Sequence, residues 1–298
     1  MALLVAFVAI FPLWAGKFLT TSMILIFEYL AAAVMWGFMA EHAGMVSLGQ
    51  QMFMGLGGYG VAVLSMYYGL PMWLSILIAG VLGSVIAAAL SFPLLRLRGI
   101  YFAIGSWVVA EIVLLFFNSW NFVGGGMGLV FRPAYGLSET LIYYPAAALG
   151  LGSIVAVYFI FKSKLGFGLR AIGADEAASL EVGVNIFRCK SYCFIIAAFI
   201  TSVAGAINVL HHAYLRPTAA FSINWTIMFL FISVIGGLGT IVGPVIGSVI
   251  FVMLGYLLSG YIGLSLLLQG VIVFVILMVL PRGIWGTISK KLGLKPPI

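Results

Sequence analysis

"GLRAIGADEAASLEVGVNIFRCK", Gly168 to Lys190, stands apart from the chain around it. Charged residues make up 7% of the 298, 21 in all, and eight of them fall between Lys162 and Lys190, with three of the seven acids. The whole chain is 64% hydrophobic with a mean hydropathy of +1.25. A soluble domain is about 45–50% apolar and about 25% charged, so lipid rather than water is the main solvent here. In lipid every backbone N–H and C=O must pair internally, which leaves helices or closed barrels. The apolar runs are continuous, not alternating, and approach the ~20 residues that a crossing helix needs. The expected fold is an all-α polytopic bundle of about ten transmembrane helices, one transmembrane domain over residues 1–298.

Working outward, the crossings fall near 2–16, 20–40, 45–68, 71–95, 99–117, 140–161, 191–213, 223–238, 240–258 and 263–280. The segments near 45–60 and 234–247 are glycine-rich and are expected to be broken or re-entrant rather than straight. Ten crossings with both ends on one side put eleven basic residues in the loops of that side: Arg96, Arg98, Lys162, Lys164, Arg170, Arg188, Lys190, Arg282, Lys290, Lys291 and Lys295. Three remain opposite: Lys17, Arg132 and Arg216. Basic loops face the cytoplasm. The loop 162–190 and the tail 281–298 are therefore expected there, both termini are cytoplasmic, and the protein is a multi-pass component of the cell (inner) membrane. The net charge of +7 then faces anionic lipid, and nothing points to nucleic acid.

Within the cytoplasmic loop, Ala174–Val182 reads as a nine-residue helix. Asp175 and Glu176 occupy its first turn, where acids complement the helix dipole. Ala177, Ala178 and Leu180 favour helix, and Gly183 stops it. Nine residues do not hold a helix alone in water. It must pack on the chain's own inner surface or dock into a partner, and the residues leave both open.

The order of motifs resembles the LivM-type permease of branched-chain amino acid ABC importers. "AGMVSLGQQMFMGLGGYGVAVL" (43–64), "LRLRGIYFAIGSWVVAEI" (95–112), "GGGMGL" (124–129), "GFGLRAIGADEAASLEVGVNIFRCK" (166–190) and "VIGGLGTIVGPVIGS" (234–248) follow in sequence. The resemblance implies a coupling helix seated on ATP-hydrolysing subunits, so it favours docking through Asp175, Glu176, Ala177, Ala178, Leu180 and Gly183. It also implies a second permease subunit, an extracytoplasmic solute-binding protein and alternating access. "EAA" at 176–178 is similar to the general importer loop, with its glycine one residue late. Glu41 and His42 stand where the family usually has glycine and an aromatic, and Glu28 lies within the second crossing. These departures bear on the solute, since relatives carry urea, short amides and other small acids.

No G-x-x-x-x-G-K-[ST] loop is present, so energy is supplied by partners. "GLGGYG" (55–60) fits a dinucleotide fingerprint but follows no strand, and its glycines serve close helix approach or a backbone break. Gly239, Gly243 and Gly247, four apart, share one helical face, with Pro244 among them loosening the hydrogen-bond ladder. Mid-membrane ionisable groups are candidate sites, which singles out Glu111 and Glu28. Gln50, Gln51, Glu111, Gly236, Gly237 and Gly239 are the expected pathway residues. His211 and His212 sit at the outer interface, where they, Arg132 and Arg216 suit either lipid headgroups or a docking protein. Cys189 and Cys193 are reduced and too few for a metal site. No catalytic constellation or cofactor motif is found. The competing classes are a stand-alone secondary transporter or channel for a solute such as urea or an amide, and a non-transporting membrane anchor.

Overall fold

The computed structural model describes residues 8, 10–12, 14–260 and 264–291. Most of the expected crossing at 2–16 lies outside those residues, as do Lys295 and the end of the tail. The helices are α1 (Lys17–His42), α2 (Gln51–Met66), α3 (Met72–Leu94), α4 (Ile100–Ser119), α5 (Glu139–Lys162), α6 (Lys164–Ala174), α7 (Glu176–Glu181), α8 (Ile186–His212), α9 (Pro217–Ala220), α10 (Asn224–Gly236), α11 (Val242–Leu257), α12 (Ser265–Val279) and α13 (Gly283–Lys291). The chain is an all-α membrane protein. Among the described residues seven helical stretches are long and apolar enough to cross a bilayer. Against the expected ten crossings, α2 and α11 fall short at 16 residues each.

α8 is the axis of the bundle. It is the most buried of the long helices and packs on α1, α2, α3 and α5. Its contact with α2 is backbone on backbone: a Cβ on Gly57 would lie 1.8 Å from the Ser202 carbonyl oxygen, and one on Gly205 would lie 2.0 Å from that of Met54. Gly57, from the dinucleotide-like run, thus joins Gly205 in a seam of small residues that lets two helices touch in lipid, while Gly55 packs on the Phe221 ring and Gly60 on Ala79 of α3.

The third expected crossing, 45–68, is broken at its start. Residues 43–50 are irregular and mostly buried, and helix begins only at Gln51. Their backbone groups are met from outside: Met45 N donates to Met39 O (3.1 Å), Leu48 N to Ser106 Oγ (3.1 Å) and Gln51 N to Thr226 Oγ1 (3.0 Å). Trp36 Nε1 donates to Ser47 O (2.8 Å). Irregular backbone is tolerated at such depth only when protein satisfies it.

The second glycine block resolves differently from the expected single face. Gly239 lies before α11, in the turn 237–241, with φ +72°. Gly243 and Gly247 alone face α10, against Gly236 and the Ile232 carbonyl. Pro244 sits in the first turn of α11, where its missing N–H has no helical partner to lose, so the ladder is not loosened.

At the other end, β1 (Leu129–Val130) pairs antiparallel with β2 (Tyr214–Leu215). This ties the "GGGMGL" loop to the end of α8. Gly128 is required there, because φ is +81° and a Cβ would lie 2.2 Å from Leu215 O.

Candidate functional site

The ends of the bundle are chemically distinct. At one, Glu139 lies 3.8 Å from Lys17 Nζ and 3.4 Å from His211 Nδ1, joining the starts of α1 and α5 to the end of α8. At the other lie α6, α7 and the turn 237–241.

The sequence 162–190 folds into two short helices rather than one. Ser163 caps α6, its Oγ accepting from Gly166 N (3.4 Å). Asp175 is an N-cap rather than a first-turn residue: its Oδ1 accepts from Ala177 N (2.8 Å) and Ala178 N (3.1 Å). The expected helix 174–182 is therefore shorter, six residues at Glu176–Glu181. Gly183 ends it with φ +82°, as its position predicts. Asn185 then caps α8 through Arg188 N (3.0 Å).

The two faces of α7 differ. Ser179 is buried, and the half-buried Glu176 turns back toward the bundle. Its Oε2 lies 2.9 Å from Lys190 Nζ on α8, and its Oε1 3.8 Å from Arg98 Nε in the α3–α4 loop. Outward stand Ala177, Ala178, Leu180 and Val182, with Leu180 55% and Val182 76% exposed. Of the six loop residues singled out in the sequence, Glu176 is thus engaged within the chain. Ala177, Ala178, Leu180 and Gly183 are exposed, and Asp175 holds the helix start.

The expected pathway residues do not converge. Gln50 and Gln51 are fully buried: Gln50 Nε2 donates to Thr201 Oγ1 (2.9 Å), and Gln51 Oε1 accepts from Thr226 Oγ1. Among the described residues Gln50 Oε1 and Gln51 Nε2 have no hydrogen-bond partner. Glu111 is half-buried on α4, bonded only one turn away to Trp107 Nε1 (3.2 Å). Gly236 packs on Gly243. Gly237 and Gly239 edge a cavity of about 10 Å³, about the space of a single water. The end of α1 closes on the same turn, where His42 Nε2 lies 3.2 Å from Gly239 O.

Glu28 is 1% exposed and accepts from Asn208 Nδ2 (2.9 Å), with Oε1 unpaired among the described residues. A cleft of about 420 Å³ opens at the side of the bundle between α1, α10, α11 and α12, with Tyr29, Asn224, Tyr256 and Gln269 in its wall. None of the six expected pathway residues lines it. Sequence reasoning overlooked Thr201, Thr226 and Lys190 as polar partners. A hydroxyl or ammonium beside so few complementary groups was the available signal. No group of three His, Cys, Asp or Glu that could hold a metal occurs among the described residues.

The family described as "Branched-chain amino acid transport system / permease component" matches residues 16–281. The chain belongs to that family. It is 27% identical over 283 residues to the high-affinity branched-chain amino acid transport system permease protein LivM of Escherichia coli K12, covering 85% of this chain and 66% of that protein. It is 26% identical over 245 residues to the probable LivM of Methanocaldococcus jannaschii, covering 76% and 70%. The ribose import permease protein RbsC of E. coli K12 is 29% identical over 140 residues, covering 45% and 43%. The chain thus spans just under two thirds of the length of the E. coli LivM. No solved structure matches.

Proposed function

We propose that this chain is the membrane-spanning permease subunit of an ATP-driven ABC importer for branched-chain amino acids or a similar small polar solute. The observation that carries the reading is α7: a six-residue helix, capped at both ends, that presents Leu180 and Val182 to solvent in a member of this permease family. Water disfavours that face, and a six-residue helix has no independent stability. A cleft in an ATPase subunit gives it both cover and a load.

The supporting assignments follow. The Glu176 end faces the cytoplasm, since Arg96, Arg98, Lys162, Lys164, Arg170, Arg188 and Lys190 gather there. Ten crossings of the cell (inner) membrane leave both termini in the cytoplasm. A second permease subunit completes the pathway, an extracytoplasmic binding protein delivers the solute to the Glu139 end, and ATP closure of the ATPases rocks the bundle between outward and inward openings. Glu111, half-buried on α4, is assigned to the face that meets the second subunit. A stand-alone transporter is disfavoured because Glu28 and Glu111 form no relay: each is engaged locally, with Asn208 and Trp107.

The test is Leu180→Asp with Val182→Asp. Burying such side chains contributes about 1.5–3 kcal/mol each, so their loss weakens docking by roughly 100-fold or more. The permease remains in the membrane and the ATPase subunits no longer co-purify. Full co-purification of the double variant overturns the assignment.

A further inference from the structure

Three polar bonds between α8 and other elements share one face of that helix. Lys190 meets Glu176 of α7 (2.9 Å), Thr201 meets Gln50 at the broken start of α2 (2.9 Å), and Asn208 meets Glu28 of α1 (2.9 Å). The spacings are eleven and seven residues. At 3.6 residues per turn they bring the three side chains within about 20° of one line. From Lys190 to Asn208 the line runs about 27 Å at 1.5 Å per residue.

The covalent route from α7 to α8 is a tight turn, in which Gly183 N donates to Leu180 O and Val184 N to Ser179 O (3.0 Å each). It passes through residues 182–185, where Gly183 has φ +82° and is exposed. The Glu176–Lys190 pair bridges that turn directly, and it is sheltered, with the Lys190 side chain 11% exposed and the Glu176 side chain 32%. Arg98, 77% exposed at 3.8 Å, adds little.

We propose that the Glu176–Lys190 ion pair is the link that transmits movement of α7 into α8, and through its polar face to the break at Gln50 and to Glu28. Glu176 is then a positioning residue that faces its own bundle, while Leu180 and Val182 face the partner. The inference rests on the reading of α7 as the ATPase-docking helix.

The experiment uses the full complex, with its ATPase subunits, in lipid nanodiscs. Hydrogen–deuterium exchange of residues 197–212 is compared with and without ATP and vanadate, a readout that needs no known solute. In the unaltered protein trapping changes exchange in that stretch. Glu176→Gln and Lys190→Met each reduce the change roughly five-fold or more, the lower end of ordinary coupling between sites. Both keep the ATPases bound, because docking rests on Leu180 and Val182. Glu176→Lys combined with Lys190→Glu restores the response to within about three-fold of the unaltered complex, as a direct pair requires.

The proposal is overturned by an unaltered response in both single variants, or by no response in the native complex. It is equally overturned by loss of the ATPases from the single variants, or by a swap no better than the singles. The underlying reading fails separately, when Leu180→Asp with Val182→Asp leaves the ATPases attached.

Discussion

Replacing Gly205 with alanine tests the α2–α8 seam. The new Cβ falls 2.0 Å from Met54 O, 2.7 Å from Met54 C and 2.8 Å from Met54 Cα, all backbone atoms. Ordinary contact begins at 3.4 Å, so the two helices must part by about 1.4 Å. No side chain can swing away to relieve it. Overpacking of this kind costs about 1–3 kcal/mol. The same separation stretches the Gln50–Thr201 bond, now 2.9 Å, past hydrogen-bonding range, at about 0.6–1.7 kcal/mol in a membrane bundle. Together these give about 1.6–4.7 kcal/mol, a shift of roughly 15- to 2,000-fold in the folded-to-unfolded ratio at 1.4 kcal/mol per decade. Equilibrium unfolding in mixed micelles, followed by tryptophan fluorescence, reads it. Gly152→Ala on α5 is the control, since its Cβ meets nothing within 4 Å among the described residues. That change is expected to be neutral or to stabilise by about 0.5–1 kcal/mol. If the two variants unfold at the same denaturant concentration, the backbone contact between α2 and α8 is not what holds them.

Asp175→Ala removes the acceptor shared by Ala177 N and Ala178 N. A lost cap costs about 1 kcal/mol, so amide exchange over 176–181 should quicken roughly five-fold, and unchanged protection would contradict the cap. Asn208→Leu strands both Glu28 carboxyl oxygens and should destabilise by about 1–2 kcal/mol. Glu28→Gln keeps an acceptor for Asn208 Nδ2 and should cost less, so equal unfolding midpoints for the two would refute the pairing. Arg98→Ala should change stability by less than about 0.5 kcal/mol, as befits a solvent-exposed partner at 3.8 Å. A larger loss would mean that the arginine, not Lys190, anchors α7.

Much of the architecture was legible because hydropathy reports the solvent. The long apolar runs mark α1, α3, α4, α5 and α8 within a few residues of their ends. Gly183 and the acids before it announce a short helix because turn and cap chemistry is local. Partners were not legible. Glu176 reads as an outward coupling residue, yet its orientation is set by Lys190, fourteen positions later and on another helix. Gln50 and Gln51 read as pathway amides, but Thr201 and Thr226 claim them from 151 and 175 residues away. Glycines four apart at 239, 243 and 247 suggest one helical face, although the first belongs to a turn. Spacing alone does not distinguish the two uses of glycine, packing and positive φ.

The broken start of α2 also constrains how the protein is made. Residues 43–51 leave the ribosome long before Thr201 and Thr226, so in a chain still being synthesised Gln50 and the amide of Gln51 have no native partner in the membrane. Insertion cannot be finished helix by helix from the amino terminus. The second segment must wait, shielded at the translocon or by its neighbours, until the last third of the polypeptide arrives to close over it. A nascent chain that stalls after α5 therefore displays an unsatisfied polar segment, a mark by which membrane quality control can tell an incomplete copy from a finished one.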